Sequence, residues 1–176
     1  MILGLPGLDG TMDDKSAETA FIQPEAGPTW AERAQLDPLA AVLDPEDRSG
    51  GKNQLIDRVH KRALGRALGD VRGTTALDFG CGTGRLSDWL VRRGAKVVGV
   101  DVTPEMVAVA RSNVPRARFG TIDGRMLPFA DGAFDVLISV YVLQYYVGGD
   151  AAQRAGAPLT DGRYADALFR ATKADG

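Results

Sequence analysis

The chain is 176 residues long, a length that suits one domain with a real core. Its 44% apolar and 25% charged residues form an ordinary globular mixture, which excludes a disordered or fibrous chain. A formal net charge of −2 gives no global field to recruit nucleic acid, one cysteine excludes an internal disulfide framework, and no apolar run reaches the roughly 18 residues that span a bilayer.

Residues 1–28 mix Gly, Pro, Asp and Thr without a period, which predicts a loose tail. The opening "MILGLPGLDGTMDD" lacks a basic leader and makes a poor export signal, so a soluble cytoplasmic protein is expected. Residues 29–72 read as a helical cap. A helical pattern runs from Trp30 to about Leu43, broken by Pro38, and Pro45 with "DRSGG" marks a turn. In "NQLIDRVHKRALGRAL", Leu55, Ile56, Val59, Ala63, Ala67 and Leu68 recur at helical spacing, predicting an amphipathic helix laid on the main body. The basic cluster Arg58, Lys61, Arg62 and Arg66 on that helix reads as a solvated face, with no nucleic-acid partner expected.

Residues 73–176 then alternate. "TTALDFG" reads as a buried strand, and "GRLSDWLVRRG" as a helix with Leu86, Trp89 and Leu90 inward and Gly94 as its stop. "KVVGVDV" is a second strand. "TPEMVAVARSNV" is a helix with Thr103 as N-cap and Pro104 at the first helical position, where its missing N–H costs nothing. "ARFGTID" is a third strand, "FADG" a turn, and "FDVLISVYV" a fourth strand, apolar on both faces. Strands of this kind suit a parallel sheet covered by helices on both sides. The expected fold class is α/β, a doubly wound, mostly parallel, Rossmann-like sheet.

In such a sheet the ligand sits beyond the carboxyl ends of the strands. Gly80, Gly82 and Gly84 lie at that end of the first strand, where the absence of a Cβ permits positive φ or close approach of ligand atoms. The helix that follows points unpaired N–H groups at the loop, which favours a carboxylate or phosphate. A dinucleotide fingerprint reads G-x-G-x-x-G, whereas this loop reads G-x-G-x-G followed by Arg85. The alternative is a tight strand-to-helix turn without a ligand. Two acidic residues add to the signal. Asp101 ends the second strand, 23 residues beyond Asp78, where a carboxylate can accept from both ribose hydroxyls. Asp123 ends the third strand before Gly124 and can accept from the exocyclic amine of adenine. Either aspartate alone could equally serve a turn or a helix cap.

The order "LDFGCGTGRLS", "VVGVDVTPEMVAVAR", "DGRMLPFADGAFDVLISVYVLQYY" resembles the class I S-adenosylmethionine-dependent methyltransferases, especially the small-molecule branch with the ubiquinone and menaquinone C-methyltransferases. The likeness covers roughly residues 74–146. It implies a strand order 3-2-1-4 and S-adenosylmethionine as cofactor. Gly80, Gly82 and Gly84 would line the methionine moiety, with Cys81 a small residue of the loop and Asp78 placing the amino end. Asp101 would hold the ribose, Val102 and Met106 would pack on adenine, and Asp123, Gly124 and Arg125 would border its edge. Ser139 matches a position whose backbone faces the methionine amine.

Methyl transfer from a sulfonium needs alignment of the acceptor more than an obligatory catalytic residue, so the catalytic group stays open. His60, the only histidine, is a weak candidate base, with a half-buried structural histidine as the alternative. Tyr141, Tyr145 and Tyr146 read as aromatic wall or core. No metal site is expected. After "VLQYY" the stretch "VGGDAAQRAGAPLTDG" intervenes before "RYADALFRATKADG", and the family's fifth strand and terminal hairpin find no counterpart. The fourth strand would then be an apolar sheet edge open to an oligomer or a partner chain. The function expected is methyl transfer to a small-molecule acceptor. The alternatives are a non-catalytic binding module and a nucleotide-dependent oxidoreductase.

Overall fold

The computed structural model describes residues 29–122, 127–142 and 172. Expectations for residues 1–28, for Asp123, Gly124 and Arg125, for Tyr145 and Tyr146, and for the segment after "VLQYY" other than Thr172 lie outside the described residues. In chain order the elements are α1 (Trp30–Arg33), α2 (Pro38–Val42), α3 (Gly51–Leu68), β1 (Thr75–Phe79), α4 (Arg85–Arg92), β2 (Lys96–Asp101), α5 (Pro104–Asn113), β3 (Arg118–Thr121) and β4 (Val136–Ile138).

The four strands are parallel in the order β3-β2-β1-β4, as expected. The register sets Phe79 beside Val100 and Asp101 beside Thr121, so the tips of β1, β2 and β3 come level at one end of the sheet. Alternate residues of the strands feed two cores. Ala76 and Val97 meet Leu86, Leu90, Val107 and Ala110, which places α4 and α5 on one face. Leu64 and Leu68 of α3 pack against the same layer. On the other face Leu77, Phe79, Val98 and Val100 meet Phe134, Leu127 and Phe129. The described helices in contact with the sheet thus cover one face of it, not both.

Three expectations change. First, β4 is three residues long rather than nine, and its Val136 and Leu137 are only half-buried. Just before it, Phe134 makes a parallel bridge with Thr172. Asp135 N–H donates to Thr75 O at 2.9 Å, so the backbone groups of Phe134 face the opposite edge, and the chain's own Thr172 takes a place there. Second, Pro38 does not break one helix but begins another. Asp37 caps α2 by accepting from Leu39 N–H at 2.9 Å and Ala40 N–H at 3.3 Å, and Pro38 takes the first position, where no N–H is missed.

Third, α3 turns a different face inward. Leu55 and Val59, each 56% exposed, and Ala63 and Ala67 face outward. The inward face is Asn53, Ile56, Asp57, His60, Lys61, Leu64 and Leu68, and much of it is polar. Asn53 is buried because its amide accepts from Asp44 N–H (3.0 Å) and donates to Asp44 O (2.8 Å), which anchors the turn ahead of α3. Asp57 holds Arg85 at 2.8 Å and Lys61 at 2.7 Å. Helix α3 lies beside α4 instead of roofing the strand tips. That role falls to α1 and α2, whose Ala34 and Ala41 pack with Met106 of α5. Among the described residues, no helix is long and apolar enough to cross a membrane.

Candidate functional site

The loop after β1 is shaped by its glycines and tied to the tip of β2. Gly80 N–H and Cys81 N–H both donate to Val100 O, at 2.8 and 2.9 Å. Gly82 N–H donates to Asp101 Oδ2 at 2.9 Å, and the same carboxylate accepts from Thr103 N–H at 3.0 Å. Asp101 therefore joins the glycine loop to the start of α5. Thr103 occupies the N-cap position, but its side chain makes no capping hydrogen bond, and Asp101 takes over part of that task. Thr83 Oγ1 donates to Pro38 O at 2.9 Å, which fastens α2 over the loop.

A cavity opens over these tips, lined mostly by apolar side chains with one carboxylate. Phe79, Gly80 and Gly82 line it from β1 and its loop, Asp101, Val102 and Met106 from β2 and α5, and Ile122 from the end of β3. Trp30 and Val42 close it from the cap, and Val140, Tyr141 and Val142 from the segment after β4.

Five of the expected site residues therefore meet at one cavity: Gly80, Gly82, Asp101, Val102 and Met106. At Gly80 (φ 73°) and Gly82 (φ 52°) the backbone is left-handed and the bare Cα faces meet Val142 and Val42. A Cβ on Gly82 would stand 2.6 Å from Val42 Cγ1, and one on Gly80 would collide with Val142. Glycine at both positions makes room for these two valines, which close over the loop.

Gly84, Cys81, Asp78 and Ser139 do not line the cavity. Gly84 (φ 82°) serves the packing of helices, because a Cβ there would meet Val114 Cγ2 at 3.1 Å and the Ala110 Cα at 3.3 Å. Cys81 is buried in the core between sheet and helices. Burial, helped by the negative charges of Asp78 and Asp101, pushes its thiol well above the ordinary value, so it stays protonated and unreactive. Asp78 is 2% exposed, and its Oδ2 accepts from Ser87 Oγ at 2.6 Å. Loss of water raises its carboxyl to about 6, against the opposing pull of the Ser87 bond and the Arg85 charge. Ser139 Oγ is buried without a hydrogen-bond partner. Asp101 is also raised, first by desolvation, against the hydrogen bonds from Thr103 and Gly82.

His60 stands beside this cavity without lining it. Its ring meets Tyr141 edge to face, with centroids 5.1 Å apart at 68°. Arg85 Nη2 approaches His60 Nδ1 at 3.5 Å, and Arg85 is itself held by Asp57. Desolvation and then the Arg85 charge lower the His60 pKa, with Asp57 opposing, so the imidazole is neutral near pH 7. Because a permanent cation faces Nδ1, that nitrogen is the acceptor and Nε2 carries the proton.

Sequence reasoning passed over Trp30, Val42, Phe79, Ile122, Val140 and Val142 as site residues. A signal existed for Val140 and Val142. They follow the fourth strand at the same end of the sheet as the glycine loop. Nothing local marks Trp30 or Val42, which reach the cavity only through the packing of α1 and α2. Among the described residues, no group of three or more His, Cys, Asp or Glu is placed to hold a metal ion.

Comparison with known proteins agrees with this geometry. Residues 77–157 match a family model described as a methyltransferase domain. A magnesium-protoporphyrin O-methyltransferase of Rhodobacter capsulatus is 34% identical over 124 residues, 69% of this chain and 53% of that protein. A demethylmenaquinone methyltransferase of Tropheryma whipplei is 37% identical over 108 residues, 58% of this chain and 44% of that protein. A ribosomal protein L11 methyltransferase of Burkholderia mallei is 33% identical over 113 residues, 64% of this chain and 37% of that protein. The chain spans about half the length, or less, of these curated relatives. Among solved structures, an S-adenosylmethionine-dependent methyltransferase from Mesorhizobium loti superposes with a TM-score of 0.54 at 27% identity, over 65% of this chain and 49% of that one. The relatives' names span a porphyrin, a quinone precursor and a ribosomal protein, so they do not single out the ubiquinone and menaquinone branch. Residues 77–157 are thus similar to methyltransferase domains, and the relatives and the solved structure that the chain resembles are methyltransferases.

Proposed function

We propose that the protein holds S-adenosylmethionine at the tips of β1, β2 and β3 and transfers its methyl group to a small-molecule acceptor. The observation that carries the reading is the placement of Asp101, a carboxylate lining the cavity beside Gly80 and Gly82 of the loop it is bonded to. Its oxygens accept from Gly82 N–H and Thr103 N–H, which aims the carboxylate along the cavity wall where ribose hydroxyls would donate to it. Val102, Met106 and Ile122 offer the apolar surface an adenine face needs. Gly80 and Gly82 let the methionine part approach the main chain. The reading keeps Asp123, Gly124 and Arg125 at the adenine edge and Ser139 near the amino end.

Asp78 enters indirectly. Its carboxyl lies behind the glycine loop, and its buried charge supplies negative potential for an ammonium group bound on the other side. When bound, S-adenosylmethionine supplies an activated methyl group on a sulfonium. The chain's own residues then orient the acceptor and exclude water, and orientation alone contributes about 7–11 kcal/mol to lowering the barrier. The apolar mouth formed by Trp30, Val42, Val140 and Tyr141 suits a small, largely apolar acceptor better than a charged polymer.

The experiment is a titration with S-adenosylhomocysteine followed by a methyl-transfer screen over small phenols, porphyrins and quinols. Binding with turnover of at least one small acceptor is the expected result. Binding without turnover on any acceptor class would identify a binding module, and transfer to protein alone would replace the acceptor assignment.

A further inference from the structure

One residue at the cavity has a feature the cofactor reading does not use. Among the described residues, Tyr141 is the only non-glycine residue with positive φ, at 64°. A bulky side chain in the left-handed region is a strained outlier, and such strain persists only where the surroundings over-determine it. Tyr141 is also 52% exposed, so burial of its own ring does not account for the conformation. What the conformation achieves is placement. The residue lines the cavity from the β4 side, between Val140 and Val142, and its ring rests edge to face on His60.

The support behind the ring is a chain of charged groups. Lys61 and Arg85 both bind Asp57, at 2.7 and 2.8 Å, and Arg85 reaches His60 Nδ1 at 3.5 Å. Arg85 and Asp57 are nearly buried, with side chains 7% and 13% exposed. Helices α3 and α4 thereby fix the imidazole, and the imidazole fixes the ring. His60 is a positioning residue in this arrangement, and Tyr141 is the group that meets the ligand.

The ring's position decides what it recognises. In the cofactor reading, Asp101 on β2 takes the ribose and the β3 side takes the adenine. The sulfur then lies toward β1 and β4, which is the side Tyr141 walls. Among the described residues that line the cavity, the one acidic side chain is Asp101, on β2, across β1 from the β4 side where Tyr141 stands. Among the described residues of this wall, the group that can attract a sulfonium is the aromatic ring of Tyr141.

We propose that Tyr141, strained into place and propped by His60, is the residue that selects the cationic sulfonium of S-adenosylmethionine over the neutral thioether of S-adenosylhomocysteine. This rests on the cofactor reading above. The two compounds differ at the sulfur by one methyl group and one charge, so the ratio of their affinities isolates the effect from every contact they share.

The experiment measures both affinities by calorimetry on the full chain, for the wild type and for Tyr141→Phe, Tyr141→Leu, Tyr141→Gly, His60→Ala and His60→Phe. Tyr141→Leu is expected to shift the ratio against S-adenosylmethionine by about three- to thirty-fold, the range for loss of a cation–π contact. Tyr141→Phe, with the ring kept, retains the wild-type ratio. His60→Ala moves the ratio in the same direction as Tyr141→Leu, and His60→Phe, which restores an edge-to-face partner, recovers it. Tyr141→Gly relieves the backbone and raises Tm while it loses the preference, the reverse of what a merely structural tyrosine would do. An unchanged ratio in Tyr141→Leu with S-adenosylhomocysteine still bound overturns this proposal alone. A wild type that binds neither compound overturns the cofactor reading and this proposal with it.

Discussion

Replacing Asp78 with asparagine isolates the cost of a buried carboxylate. The native side chain is 2% exposed and accepts one short hydrogen bond from Ser87, and its carboxyl is raised to about 6 from an ordinary 3.8. A carboxyl whose folded value is raised holds its proton more tightly in the native state. Its contribution is therefore complete below the unfolded value and is lost as pH climbs through 6. Linkage between 3.8 and about 6 gives a folding cost of roughly 2 kcal/mol at pH 5 and roughly 3 kcal/mol at pH 8. Asparagine keeps an acceptor for Ser87 and carries no charge at either pH. Urea denaturation of both proteins at pH 5 and pH 8 reads the effect as a difference, in which the other titrating groups cancel. The stability of Asp78→Asn relative to wild type is expected to rise by about 1–2 kcal/mol from pH 5 to pH 8, a few degrees in Tm. A difference that is flat with pH, or that falls, would refute the argument that this carboxylate is held at a cost to the fold.

The other predictions concern the cavity. Asp101→Ala removes the acceptor of Gly82 and Thr103 together with the expected ribose ligand, and S-adenosylhomocysteine affinity should fall by about 1.5–3 kcal/mol by calorimetry; unchanged affinity would contradict the ribose assignment. Gly84→Ala places a Cβ against Val114 and Ala110 on a left-handed backbone, which alone costs about 1–2 kcal/mol. Thermal melts should show that loss, while S-adenosylhomocysteine affinity changes less than about threefold because Gly84 lies off the cavity. Gly82→Ala, by contrast, drives a methyl group against Val42 inside the cavity, so both Tm and affinity should fall.

The elements from β1 to β3 were legible because each has its own local signal: apolar runs for the strands, a glycine loop and Pro104 for the helix starts. Their parallel order followed from the alternation of strand and helix. Helix α3 was legible as a helix and misread as a face. Leu55 and Val59 suggested an apolar inner stripe, but Asn53 and Asp57 turn inward because their partners, the Asp44 main chain and Arg85, come from other segments. Which glycine faces a ligand and which faces a helix was equally hidden. Gly82 and Gly84 stand two residues apart in the same loop, yet Gly82 meets Val42 of α2 at the cavity and Gly84 meets Ala110 of α5 and Val114 away from it. The cap's contribution was not readable either, since Trp30 and Val42 reach the cavity through the packing of α1 and α2 on Met106. The strain at Tyr141 has no signature in a single sequence.

The central claim is that adjoining strand tips, with Asp101 and the bare faces of Gly80 and Gly82, form a site for an adenosyl amino acid and not for a dinucleotide. Calorimetric titration of the wild-type chain with S-adenosylhomocysteine and, in parallel, with NAD tests it most directly. Saturable one-to-one binding of S-adenosylhomocysteine with no heat from NAD is the predicted result. No binding of S-adenosylhomocysteine, or a preference for NAD, would contradict it.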